Sequence, residues 1–139
     1  MKLRSMLAGS ALLLATQAFA EPPPKAQLLD FSNSALIDSA SAKAVLADGI
    51  PAKVWKVYPA SKWAFVSQVE GGVTSGGACV VTARVMMVPL TTTVKAVLFR
   101  PEKIATAFDT IAGGGDQCKQ LAKAKLVEAT QSVVSSLVK

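Results

Sequence analysis

The sequence predicts an α+β fold: an N-terminal helix, an antiparallel sheet of four or five strands, and a long C-terminal helix packed on that sheet and tied to it by one disulfide. Three observations carry this expectation. Apolar residues recur every three or four positions near the start and end of the chain, and they alternate every second position through its middle. Two cysteines, Cys79 and Cys118, stand one in the middle region and one at the start of the last periodic segment.

The first 20 residues read as a secretory signal peptide. Lys2 and Arg4 are basic, Met6 to Ala15 is apolar and small, and Ala18-Phe19-Ala20 supplies the small residues for a cut between Ala20 and Glu21. The apolar stretch is shorter than the roughly 20 residues that cross a bilayer, and Glu21-Pro22-Pro23-Pro24 follows it at once. The exported chain is therefore expected to have no transmembrane segment. No cysteine stands at the cut, so a lipid has no acceptor there. Residues 21–33 read as an extended, Pro-rich arm, and residues 34–139 as a single domain long enough to build one core.

From Ser34 to Asp48, Leu36, Ile37, Ala40, Ala44 and Val45 fall on one helical side, a serine opens the run, and Gly49 and Pro51 stop it. The period then changes to two. Trp55 and Val57 alternate with Lys56 and Tyr58 over Lys53–Tyr58, and Trp63, Phe65, Ser67 and Val69 share a face over Lys62–Val69, with Pro59-Ala60-Ser61 as the turn of a hairpin. A glycine-rich passage, Gly71 to Gly77, leads to Cys79–Val88, which is apolar apart from Thr82 and Arg84 and belongs at the centre of the sheet. After Pro89, Thr91–Phe99 reads as a further strand with Val94, Ala96 and Leu98 on one side. Ile104–Thr110 is read as the fifth strand because Thr106, Phe108 and Thr110 favour extended structure, although Pro101 is also compatible with the first turn of a short helix. Gly113-Gly114-Gly115 ends it. Asp116 then reads as the N-cap of a helix from Gln117 to Val138 whose apolar stripe is Cys118, Ala122, Leu126, Ala129, Val133 and Leu137.

An exported chain meets an oxidising compartment, and with two cysteines the pairing is unique, so Cys79 and Cys118 are expected to close a structural disulfide. The absence of a CxxC motif argues against redox chemistry.

The sequence is poor in catalytic signals. It contains 0 histidines, which removes the commonest general base, the commonest metal ligand and the base of Ser-His-Asp and Cys-His machinery. Thr74-Ser75-Gly76-Gly77 is a connector, since no base partners its serine and no GxSxG motif occurs. The glycines before the last helix suit an anion, but Asp116 competes for the same donors and no P-loop lysine follows. Acids are scattered, without calcium-loop or paired-carboxylate spacing. No catalytic, cofactor or metal residues are assigned.

What remains is a composition suited to recognition. Trp55, Lys56, Tyr58, Lys62 and Trp63 lie on the expected hairpin, where aromatic rings supply contact area and lysines steer acidic partners. The competing reading places Trp55 and Phe65 in the core. Without the signal peptide the chain is about +4, a modest excess that lacks the dense basic stripe of a nucleic-acid binder. The expectation is a bacterial-type exported protein of the periplasm, or secreted outright, that binds another protein or envelope component as an inhibitor, immunity or accessory protein. Membership of a cell-envelope or secretion assembly, pairing through an edge strand, is the second expectation. A small carboxylate-dependent hydrolase is the third.

Overall fold

The computed structural model describes residues 27–90 and 101–138. The signal peptide, the start of the arm and the strand expected over Thr91–Phe99 lie outside the described residues. The element order is β1 (Leu28–Asp30), α1 (Ser39–Gly49), α2 (Ala52–Val57), β2 (Trp63–Val73), β3 (Ala78–Pro89), β4 (Lys103–Ala112) and α3 (Gly115–Leu137). The fold is α+β. Four strands form one sheet in the order β1-β2-β3-β4, with α3 against β3 and β4 and α1 between α3 and the β1 side.

The sheet is mixed and not purely antiparallel. Residues Leu28–Asp30, within the stretch read as an arm, pair in parallel with Phe65–Ser67, while β2–β3 and β3–β4 are antiparallel. A polar network that sequence reading missed fixes β1 in place. Asp30 Oδ1 accepts from the buried Ser67 Oγ at 2.7 Å and from Ser32 Oγ at 2.6 Å, and Ser32 Oγ in turn accepts from the Val69 N–H at 3.0 Å. Ser67 is fully buried and its hydroxyl is satisfied by the half-buried Asp30, which is what lets a serine sit inside an apolar sheet face.

Helix α1 begins at Ser39, five residues later than Ser34. Asn33 ties the intervening residues into a turn, its carbonyl accepting from the Leu36 and Ile37 N–H groups and its Oδ1 from the Ala35 N–H. Asp38 is the cap: its carboxylate accepts from the Ser41 N–H at 2.9 Å and the Ser41 hydroxyl at 2.7 Å. The buried face of the helix is Ala42, Val45 and Leu46, while Ala40 and Ala44, expected on the apolar side, are exposed. Leu36 and Ile37 still reach the core, but from the turn.

The expected strand over Lys53–Tyr58 is a helix. Pro51 caps α2, the Val54 N–H donates to the Pro51 carbonyl and the Tyr58 N–H to the Val54 carbonyl. Over six residues a period of two and a period of 3.6 are hard to distinguish, and here Val54 alone must be buried. The lateral partner of β2 is also already β1, so a hairpin strand has no edge to occupy. The hairpin is instead β2–β3, turning at Thr74–Gly77, where the Thr74 N–H donates to the Ala78 carbonyl at 2.7 Å and Gly77 takes φ +76°. Gly71 and Gly72 belong to β2. A Cβ at Gly71 would stand 2.0 Å from the Val80 carbonyl oxygen, so only glycine fits there.

Residues 104–110 are extended, as part of β4. Asp116 is not the N-cap of the last helix; Gly114 is, and the Gly114 N–H donates to Gln117 Oε1 at 2.7 Å, leaving Asp116 in the first turn where its charge complements the helix dipole. Cys118, Ala122, Leu126, Ala129, Thr130 and Val133 face the core, and Leu137 lies half-buried at its margin. Cys79 and Cys118 are bonded, joining the start of β3 to the first turn of α3. Lys125 joins α3 to β4, with its ammonium 3.2 Å from Asp109 and 2.7 Å from Glu128.

Asp38 and Asp109 give the fold an acid limit. The Ser41 hydroxyl and N–H hold the Asp38 carboxyl below its usual range, and the Thr110 N–H and then Lys125 do the same for Asp109. Both folded values lie below the unfolded one. Their stabilisation is therefore complete above about pH 4 and is lost as pH falls through the lowered folded values. Thermal melts are expected to show a plateau near neutrality and a decline below about pH 4. Asp38→Ala should melt lower at pH 7 and show a shallower acid decline; acid limbs of equal slope would exclude Asp38 as a contributor.

Candidate binding surface

Helix α2 ends at Val57, Tyr58 caps it, and the chain turns through Pro59–Lys62 into β2. The Lys62 and Trp63 N–H groups both donate to the Pro59 carbonyl, at 2.9 and 3.0 Å, and the Leu90 N–H donates to the Lys62 carbonyl at 2.8 Å. This corner is therefore held by main-chain bonds to the far end of β3.

Two perpendicular aromatic pairs are built on it. Trp55 meets Phe65 with ring centroids 5.3 Å apart at 77°, and Tyr58 meets Trp63 at 5.6 Å and 89°. Edge-to-face contacts of this kind favour one relative orientation of the rings. Phe65 is fully buried, whereas Trp55, Tyr58 and Trp63 are half-buried, each with part of its ring against the core and part in water. Lys53, Lys56 and Lys62 are exposed, as is Val57 at 61%.

No acid occurs between Asp48 and Glu70. Among the described residues both ion pairs belong to Lys125, so the three lysines of the corner are left to solvent. The structure thus brings Trp55, Lys56, Tyr58, Lys62 and Trp63 to one corner, though by a helix, turn and strand and not by a hairpin. The helical form matters to its shape. Residues 55 and 58 are three apart and so lie on one side of α2, which places Tyr58 beside Trp63 and Trp55 over Phe65.

Elsewhere the chemistry is structural. Thr74–Gly77 is the hairpin turn, and its threonine Oγ1 accepts from the Ala78 N–H. The Gly114 N–H before α3 is taken by Gln117, which removes one donor from any anion there. A cleft of about 250 Å³ lined by Ser34, Asp38, Ser41, Lys119 and Lys123 pairs basic side chains with a carboxylate already engaged as a cap. Among the described residues no group of three His, Cys, Asp or Glu side chains is placed to hold a metal ion.

One surface escaped sequence reading. On the sheet face away from the helices, Leu29, Val66, Met86 and Ile104 form one cross-strand row in which Val66 is buried with Ala64 and Val88, while towards the sheet edges Leu29 and Ile104 are exposed and Phe108 stands 77% exposed on β4. The signal was present in the alternation of Ile104, Thr106, Phe108 and Thr110 against Ala105, Ala107 and Asp109. It was unreadable without knowing which face the helices cover.

Fold and surface together define a disulfide-tied α+β protein with a mixed four-stranded sheet and a basic, aromatic corner. No protein-family model matches the chain, and no curated protein matches it. Among the described residues no helix is long and apolar enough to cross a membrane.

Proposed function

We propose that this is an exported, non-enzymatic protein that binds an acidic macromolecular partner through the corner formed by Trp55, Lys56, Tyr58, Lys62 and Trp63. The observation that carries the reading is the combination of half-buried, mutually oriented rings with lysines that have no acid near them in the chain. Rings already fixed by packing lose little entropy on binding, and unpaired lysines raise the association rate with an acidic surface. The buried disulfide supports an oxidising compartment, in keeping with export through residues 1–20 and residence in the periplasm. The absence of histidine supports binding over catalysis. An inhibitor, immunity or accessory role fits a small rigid scaffold of this kind.

Charge reversal tests the reading without touching the core. Lys56→Glu/Lys62→Glu replaces two exposed side chains, so the variant should fold like the wild type. It is expected to lose at least about tenfold in affinity for the partner that the wild type retains from envelope extract, and wild-type binding should weaken steeply with salt. A partner retained equally well by both proteins would exclude this corner as its site.

A further inference from the structure

The outer edge of β4 has the features of a strand awaiting a partner, and the pattern of its residues selects that partner. In the β3–β4 ladder the Gly113 N–H donates to the Gly77 carbonyl, and residue 113 is in register with residue 77. Odd-numbered residues of β4 therefore direct their main-chain groups to β3, because hydrogen-bonded and non-hydrogen-bonded positions alternate in an antiparallel ladder. The same alternation turns the N–H and C=O groups of Ile104, Thr106 and Phe108 outward, while at Thr110, also on this side, the N–H is taken by Asp109 Oδ1 at 2.8 Å. Among the described residues no strand pairs with that edge. The strand runs for 10 residues and contains no proline, and its side chains include Ile104 at 52% and Phe108 at 77% exposure. Soluble proteins usually protect such an edge by shortening it, charging it or covering it.

We infer that β4 pairs antiparallel with β4 of a second copy of this chain, about a twofold axis at Thr106, to make one continuous sheet. The register follows from charge. Lys103 and Asp109 are the two charged residues of β4, one near each end, and they lie on the same face of the strand. Centring the axis on Thr106 sets Lys103 of each copy directly opposite Asp109 of the other. It also sets Ile104 opposite Phe108 on the other face, twice, by symmetry. Moving the centre by one residue in either direction places Lys103 opposite Ile111 or Ala107, which leaves Lys103 without a counterpart across the axis and Asp109 with Lys125 of its own chain alone. An isologous pair with opposite charges and exposed apolar groups matched across it is self-complementary in the sense a twofold interface requires.

The backbone parity agrees. With the axis at Thr106, the outward-facing even residues are the ones that meet, giving about six main-chain hydrogen bonds across the axis. On the helix side of the sheet, Ala105 meets Ala107, and these small side chains leave room for the two copies of α3 to stand side by side. Lys103 of one copy approaches the carboxylate that Lys125 already holds in the other, so that each Asp109 bridges two cations. This association does not depend on the aromatic corner, which lies at the β2 end of α2 and not on β4.

Sedimentation velocity on the purified chain, from about 1 to about 100 µM, should show a concentration-dependent monomer–dimer equilibrium. Phe108→Lys changes a side chain that is mostly in water in the monomer, so it should fold normally and weaken dimerisation by at least about tenfold. Lys103→Glu should weaken it as well by placing a glutamate against Asp109. The register has its own test. Thr106→Cys puts two cysteines face to face on the axis, about 5.5 Å apart at Cα, and should oxidise rapidly to a covalent dimer, whereas Thr110→Cys should not. Lys56→Glu/Lys62→Glu should leave the dimer intact, which separates this inference from the proposed function. A wild-type monomer at about 100 µM, a dimer indifferent to Phe108→Lys, or equal cross-linking at 106 and 110 would overturn it.

Discussion

Replacing Cys79 and Cys118 together by alanine is expected to destabilise the protein by about 3–4 kcal/mol, a large share of a small domain's stability. The bond spans 39 residues of chain, and in the loop-closure account an unfolded chain with a loop of that length loses about this much entropy. Its position adds to the effect. Both cysteines are buried, and they connect the first turn of α3 to the start of β3, where Val73 and Ile111 are the cross-strand partners of Cys79. Without the bond, the N-terminal turn of α3 is held by Gly114–Gln117 capping and by Ala122 and Leu126 further along the helix. Urea unfolding should therefore shift its midpoint downward by about 2 M while keeping a cooperative transition. Reduction of the wild type should reproduce most of the loss, since both treatments free the same loop. A double variant within about 1 kcal/mol of the wild type would show that the unfolded chain gains little freedom when the bond is removed.

The second large effect is expected from Phe65→Ala, at about 3–5 kcal/mol. Phe65 is fully buried near the start of β2, in register with Leu28 on one side and Met87 on the other, and its ring meets that of Trp55 in a T-shaped contact. Truncation loses the transfer of an aromatic ring from water and leaves a cavity that the flanking strands, held by their ladders, cannot close. It also frees Trp55. The variant is expected to weaken partner binding in addition to lowering stability, at temperatures where it is still folded. Phe65→Leu separates the two effects, because it refills most of the volume and should recover more than half of the stability while restoring less of the orientation of Trp55. Equal recovery of both would mean that Trp55 needs only a filled core and not an aromatic platform.

These expectations draw on parts of the molecule that were unequally legible beforehand. The last helix was readable because it is long: over 23 residues the stripe Cys118, Ala122, Leu126, Ala129 and Val133 is incompatible with any other period. The strand β3 was readable for a similar reason, as a long apolar run that sits between β2 and β4, although its burial alternates, with Cys79, Val81, Ala83, Val85 and Met87 inside and Val80 and Arg84 exposed. Helix α2 was misread because six residues around Trp55 satisfy both periods, and the choice was made by a neighbour 27 residues upstream: β1 occupies the edge of β2 that a hairpin strand would have needed. The start of α1 was misplaced because Ser34 and Asp38 are both good caps, and Asn33 settled the matter by turning the chain between them.

The candidate site divides in the same way. Its residue types were visible as residue types, since aromatic rings interleaved with lysines over Trp55–Trp63 stand out in any reading. That the rings pair at right angles and remain half in water depended on the helix, the Pro59 turn and the buried Phe65 together.

By itself the sequence determined the α+β class, the pairing of Cys79 with Cys118, the long C-terminal helix and the central strand, because length, uniqueness of pairing and sustained periodicity are properties of the chain alone. Only the tertiary structure decided the parallel β1, the helical α2, the inner and outer faces of β4 and hence the exposure of Phe108. Each of these depends on which edge or face another segment has already covered, and that competition takes place between residues far apart in the chain.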